Sequence, residues 1–243
     1  MSEGPSVDIT AEEESVFLFY HKLKMFEICE SMKIPIHVQS TVIVYFKVLF
    51  LKKRVFHYDM NNLVMACILL AMKVENINIT TMQIKEVVPG VDERLLAEYE
   101  LEICNALKFN LHVPSPHLRL IGLFLLLRNK ESVQTVMTGS VQTQDIVSPD
   151  ANIDWDTSAE NLKTLMLLDN YHTLDLTQVA IASLPVPPTE LEGFFMLDTL
   201  EAAGHLKKQM KRKKSPSKVQ INTIKEKIKA IQARYKIVQP MEG

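Results

Sequence analysis

The chain has 243 residues, enough for one large domain or two of ordinary size, and its 47% hydrophobic and 23% charged content is that of a globular protein in water. It holds only 7 glycines, and no Asn-Gly or Asp-Gly joins alternating apolar runs, which argues against a β-rich fold and makes helix the expectation. The net charge of −2 hides an uneven spread: between His205 and Val238 stand twelve Lys/Arg and only Glu226, which leaves fifteen basic and 28 acidic residues for an acidic body.

In chain order, Val16, Phe19, Leu23 and Phe26 fall on one face of a first helix. After the break at Ile34-Pro35, Val38, Val42, Tyr45 and Leu49 make a second stripe. Leu63, Cys67, Leu70 and Val74 form a third, with Asp59 as its expected N-cap. A short fourth helix is expected to start at Thr80 or Thr81 and to stop by Pro89-Gly90. Leu96, Tyr99, Ile103 and Leu107 supply the fifth stripe.

Pro114 and Pro116 interrupt the pattern, and a second series follows at 117–130, 159–171, 176–184, 190–197 and 198–211. The third members of the two sets, "DMNNLVMACILLA" and "DLTQVAIASL", both open with Asp and run from small into bulky residues. The expected fold is therefore all-α, with two five-helix repeats at 12–112 and 113–211. Residues 131–156, rich in Ser, Thr, Gln and Asp, are expected to be a mobile polar loop with Trp155 anchoring its far end. Past the basic "KRKKSPSK" at 211–218, a C-terminal helix at 215–238 aligns Ile221, Ile224, Ile228, Ile231 and Tyr235, a face that needs something to pack on.

No catalytic constellation is present: there is no phosphate-binding glycine loop, no G-x-S-x-G, no H-E-x-x-H and no C-x-x-C. No catalytic residue, metal site or cofactor is expected. Cys29, Cys67 and Cys104 are odd in number, widely spaced and apolar in context, as expected of core residues in a reducing compartment. The N-terminal stretch lacks a signal-peptide pattern and no apolar run reaches membrane-spanning length, so an intracellular protein without a membrane partner is expected. Asp154 and Asp156, beside Trp155, are read as solvated carboxylates.

Lys73 closes an apolar run, and its simplest role is to lay methylenes over neighbours with its ammonium in water. If the third and fifth helices lie side by side, however, Lys73 and Glu100 meet at the edge of an apolar groove, an arrangement suited to a protein interface.

"YFKVLFLKK", "MACILLAMKVE", "EYELEICNALKFNL" and "LLDNYHTLDLTQVAIASL" resemble the corresponding parts of cyclins, most closely the cyclin H type, with the cyclin C type next. The resemblance spans residues 12–210 and is strongest over 40–112. It implies two tandem cyclin boxes, a non-catalytic regulator and a cyclin-dependent kinase as partner. A Lys in A-x-K before acidic residues and a Glu nine residues ahead of a Phe engage the kinase in that family, and here these are Lys73 and Glu100. By the same resemblance Leu70, Val74, Cys104, Phe109 and Leu111 floor the groove for the kinase's αC helix. The H type further implies the CDK-activating kinase of transcription factor IIH, a ring-finger assembly factor, other subunits of that complex, and a nuclear location. Asn76 after Glu75, and "PSPHLRL" where cyclins H and C usually carry H-P-Y-R, depart from the pattern and leave the subtype open.

"KRKK" is similar to a nuclear import signal, and Ser215 in S-P-x-K is a candidate phosphorylation site, although a plain solvated linker accounts equally for both. The rival readings are a TFIIB-type transcription factor, which also has two cyclin-like repeats but grips DNA, and an all-α scaffold. The acidic body and the lack of zinc-spaced cysteines disfavour direct nucleic-acid binding.

Overall fold

A computed structural model describes residues 8–77, 88, 90–128, 154–212 and 215–235. Among the described residues there are nine α-helices and no strand, joined by short 3₁₀ turns. The expected fourth helix of the first repeat, and residues 131–153 of the expected loop, lie outside the described residues.

The chain divides into two units, 1–113 with 214–243, and 114–213. In the first unit, α1 (Ala11–Ser31) opens with a capping box in which the Thr10 hydroxyl accepts from the Glu13 amide and the Glu13 carboxylate accepts from the Thr10 amide. Lys33, in the left-handed region at φ 54°, ends it before Pro35 starts α2 (Ile36–Phe50). A 3₁₀ turn at Val55–His57 leads to α3 (Met60–Val74), whose cap is Asp59, accepting from the Asn62 amide at 2.8 Å. α4 (Glu93–Ala106) is capped by Asp92, and the Asp92 amide donates to Asn62 Oδ1 at 2.8 Å, which ties the starts of α3 and α4 together.

α3 is buried on every side from Asn62 to Met72, with α2 and α4 packed against it. This explains why its sequence is apolar all round rather than striped. Cys29 and Cys67 are core residues, and burial raises both thiols, Cys29 to about 12.

The first unit is completed by the last helix, α9 (Lys218–Tyr235). Ile221, Ile224, Ile228 and Ile231 are all buried, and the helix packs on α1 and the 3₁₀ turn. Polar contacts fix its register: Lys227 pairs with Glu13, and Gln232 Nε2 donates to the carbonyls of Phe56 at 3.1 Å and Tyr58 at 3.3 Å. Lys225 lies 5.0 Å from the centre of the Tyr20 ring. On α1, His21 is buried with the Phe17 ring at 4.5 Å, and neither of its ring nitrogens has a hydrogen-bond partner among the described residues.

The second unit contains α5 (Pro116–Arg128), α6 (Trp155–Met166), α7 (Leu176–Ser183) and α8 (Leu197–Arg212). Short α7 is its centre, packed by α5, α6 and α8. It repeats the design of α3. A 3₁₀ turn at Tyr171–Thr173 precedes a capping aspartate, Asp175, which accepts from the amides of Thr177 and Gln178 at 2.8 and 3.0 Å. The Asp-led likeness of the two segments is thus a shared turn, cap and buried helix.

Two expectations for this unit are corrected. No α-helix forms over 190–197; a 3₁₀ turn at Pro188–Leu191 and a bend through Gly193, at φ 92°, stand there instead. Pro185, Pro187 and Pro188 keep the preceding chain extended, and Gly193 supplies the left-handed residue that a continuous helix cannot contain. The helix expected from Ala159 begins at Trp155, because Asp154 is its N-cap, and it ends at Met166 rather than near Tyr171. The expected loop therefore stops before Trp155, whose ring meets the edge of Phe124 at 5.0 Å. α5 carries apolar residues on both sides: Leu120, Leu123 and Leu127 are buried, while Leu118, Ile121 and Leu125 face outward.

Candidate functional site

The candidate groove is built from α2, α3, α4 and the segment that leaves α4. α3 and α4 run as packed neighbours, and their facing edges carry Lys73 and Glu100. The Lys73 ammonium donates to both oxygens of the Glu100 carboxylate at 2.7 Å. Their side chains are 60% and 19% exposed, so the ammonium stands in solvent and the carboxylate sits lower against the protein. In water such a pair contributes less than about 1 kcal/mol to stability. Its chemical use lies elsewhere: it presents a fixed cation and a recessed anion, able to donate to and accept from a partner's backbone.

Around this pair the expected floor residues are unequal. Leu70 is only 7% exposed and belongs to the core beneath the groove rather than to its surface. Val74 and Cys104 are half-buried at the edge. Burial, then the Glu100 carboxylate, raises the Cys104 thiol, so at neutral pH it packs as a small apolar group. Leu111 is half-buried, and its carbonyl accepts from the Tyr45 hydroxyl at 2.6 Å, which fastens the exit of α4 to α2.

Phe109 is not a floor but a projection, 64% exposed. It and Lys108 occupy the left-handed region at φ 60° and 52°, held by the Phe109 amide donating to the Cys104 carbonyl at 2.8 Å. A bulky side chain in this region is uncommon and costs about 1–3 kcal/mol. The chain thus turns an aromatic ring to solvent at an energetic cost.

Sequence reasoning missed three neighbours. Leu101, 57% exposed, follows Glu100 and widens the apolar margin. Thr41 on α2 donates to Glu75 Oε1 at 3.4 Å, which steadies the carboxylate two residues past Lys73. Tyr45 anchors Leu111; its place in the α2 stripe was legible, but its hydroxyl's partner lies 66 residues away. Ser215, the candidate modification site, is exposed between α8 and α9. Among the described residues no group of three His, Cys, Asp or Glu could hold a metal ion, and no helix is long and apolar enough to cross a membrane.

Comparison with known proteins bears on this geometry. Residues 20–112, which contain every expected partner-binding residue, match the family described as the cyclin N-terminal domain. Cyclin-H1-1 of Arabidopsis thaliana is 24% identical over 147 residues, covering 57% of this chain and 44% of the relative. The chain thus spans less than half of that relative's length. Among solved structures, a chain of the CAK complex of Chaetomium thermophilum bound to ATP-gamma-S superposes with a TM-score of 0.67 at 13% identity, covering 97% of this chain and 82% of that one. A chain of the yeast TFIIK (Kin28/Ccl1/Tfb3) complex gives 0.57 at 22% identity, with 90% and 86% covered. At these identities the likeness is one of fold.

Proposed function

We propose, starting from a chain whose residues 20–112 match the cyclin N-terminal domain and which is similar to a cyclin of the H type, that it is the regulatory subunit of a cyclin-dependent kinase. The single observation that carries the reading is the Lys73–Glu100 pair, 2.7 Å apart at the rim of a groove with exposed apolar margins at Leu101 and Phe109. A helix laid across α3 and α4 finds apolar contact there and one donor and one acceptor to fix its orientation.

The groove acts on the kinase by selection. A protein kinase is active when its αC glutamate pairs with the lysine of its third strand, a state sampled part of the time. A partner that binds αC only in that position draws the population toward it. This chain supplies binding energy and does no chemistry itself. By likeness to its relatives the kinase is the CDK-activating kinase of transcription factor IIH, a ring-finger assembly factor is the third member, and the location is the nucleus, for which "KRKK" at 211–214 supplies an import signal.

Reconstitution with a kinase of this class tests the proposal. Lys73→Ala and Glu100→Ala, singly and together, are expected to weaken kinase binding at least tenfold, while melting temperature shifts by no more than about 2 °C, because the pair is worth less than about 1 kcal/mol to the fold. Kinase activation by the double variant at the unmodified level refutes it. The charge swap Lys73→Glu with Glu100→Lys separates the two roles: it restores an ion pair but reverses the polarity offered to a partner, so binding stays low.

A further inference from the structure

The chain contains three Ser-Pro dipeptides, at Ser115, Ser148 and Ser215. Their surroundings differ. The Ser115 hydroxyl is buried where α5 begins, out of a kinase's reach, and Leu118 stands three residues on. Ser148 is followed at the same distance by Ala151. Ser215 is exposed, lies outside any helix, and carries Lys218 at that position. Pro216 favours an extended conformation at Ser215, the form in which a kinase cleft accepts a substrate strand.

We propose that Ser215 is the acceptor for a proline-directed serine/threonine kinase, and that its modification changes the surface charge here while leaving α9 docked. In the reaction the Ser215 hydroxyl oxygen attacks the γ-phosphorus of ATP. A new P–O bond forms as the bond to the β-phosphate's bridging oxygen breaks, ADP leaves, and the hydroxyl proton passes to the kinase's catalytic aspartate.

The second half of the proposal comes from Ser217. Its hydroxyl, not that of Ser215, caps α9: it accepts from the Gln220 amide at 3.2 Å, while the Ser217 amide donates to Gln220 Oε1 at 3.0 Å. The four buried isoleucines of α9 lie further along the helix, from Ile221 onward. A phosphate on Ser215 therefore touches neither the cap nor the packed face, and its charge precedes the positive end of the helix, where it is favourable. The sequence 211–218 holds five basic residues, and a phosphate of about −1.5 to −2 offsets about 30–40% of that charge. The modified chain then holds polyanionic partners more weakly.

The test uses the full chain, a proline-directed cyclin-dependent kinase that brings its own cyclin, and magnesium-ATP, so its outcome is independent of whether this chain activates a kinase. One phosphate is expected, mapped by mass spectrometry to Ser215. Ser215→Ala should abolish it, and Lys218→Ala should slow it about tenfold, the worth of one charge-assisted hydrogen bond. The phosphorylated chain should melt within about 2 °C of the unmodified one and leave heparin at lower salt. Ser217→Ala should melt lower yet still be modified at Ser215. Transfer to Ser217 or Ser148 instead, equal transfer to Ser215→Ala, no transfer, a clear fall in melting temperature on phosphorylation, or unchanged heparin elution each overturns the proposal.

Discussion

Replacing Ile228 by Ala measures how firmly α9 holds the first unit together. Ile228 is 5% exposed on the face turned to α1 and the 3₁₀ turn, so the change removes close to three methylene equivalents from a packed interface. At about 0.8 kcal/mol each, the transfer cost alone is about 2.4 kcal/mol. The cavity left behind adds to this, within the range of about 2–5 kcal/mol seen for buried isoleucine truncations, and the lower part applies because an outer helix can settle inward. A unit of roughly 140 residues loses about 2–4 °C per kcal/mol, so a fall of about 5–10 °C is expected in thermal unfolding followed by circular dichroism. Val219→Ala is the matched control: it sits on the same helix at 75% exposure and should not move the midpoint beyond about 1 °C. Equal melting of the two variants would refute the docking of α9 and, with it, the closure of the first unit by residues from the far end of the chain.

Two more outcomes follow from buried polar groups. Burial, then Lys24, then Lys225 hold the His21 imidazole down to about 3, so between pH 6.5 and 3 the unfolded chain binds a proton there that the folded chain does not. Stability should therefore decline as pH falls through this window, and His21→Leu, which removes the proton site and two buried nitrogens without partners, should flatten the decline and raise the midpoint at pH 5; steeper acid sensitivity in that variant counts against the assignment. Asp59→Ala should cost about 0.5–2 kcal/mol in urea unfolding by leaving the first turn of α3 uncapped, whereas Asp59→Asn, which keeps an accepting oxygen, should lose far less.

What could be read from the sequence depended on whether the governing force was local. The stripe Val38, Val42, Tyr45 and Leu49 is buried throughout, and Asp59 is the cap it was read to be, because both depend on spacing along one helix. The segment 190–197 misled because a few apolar residues in 3-4 order, Leu191, Phe194 and Leu197, are consistent with both a helix and a turn, and Gly193 decided between them. Asp154 was legible as a polar residue but not as a cap, since the helix it starts runs through the exposed Trp155 and Asp156 before its first buried residue, Ser158. At the groove, the meeting of Lys73 and Glu100 was inferable only by supposing which helices are neighbours, and the projection of Phe109 not at all. A positive φ at a phenylalanine follows from how α4 ends, not from residue type. His21 and Lys22 are buried on α1 although their types suggest exposure, and no pattern within α1 signals it.

The docking of α9 on α1 brings together Lys227 and Glu13, positions 214 apart along the chain. Synthesis is vectorial, so α1 leaves the ribosome long before the helix that covers it exists. Throughout that interval the nascent first unit presents a bare greasy face, and a chaperone is the natural transient tenant. A message broken off before the codons of α9 would yield a product that keeps this tenant indefinitely, so such premature stops should be cleared as misfolded rather than tolerated as shortened protein.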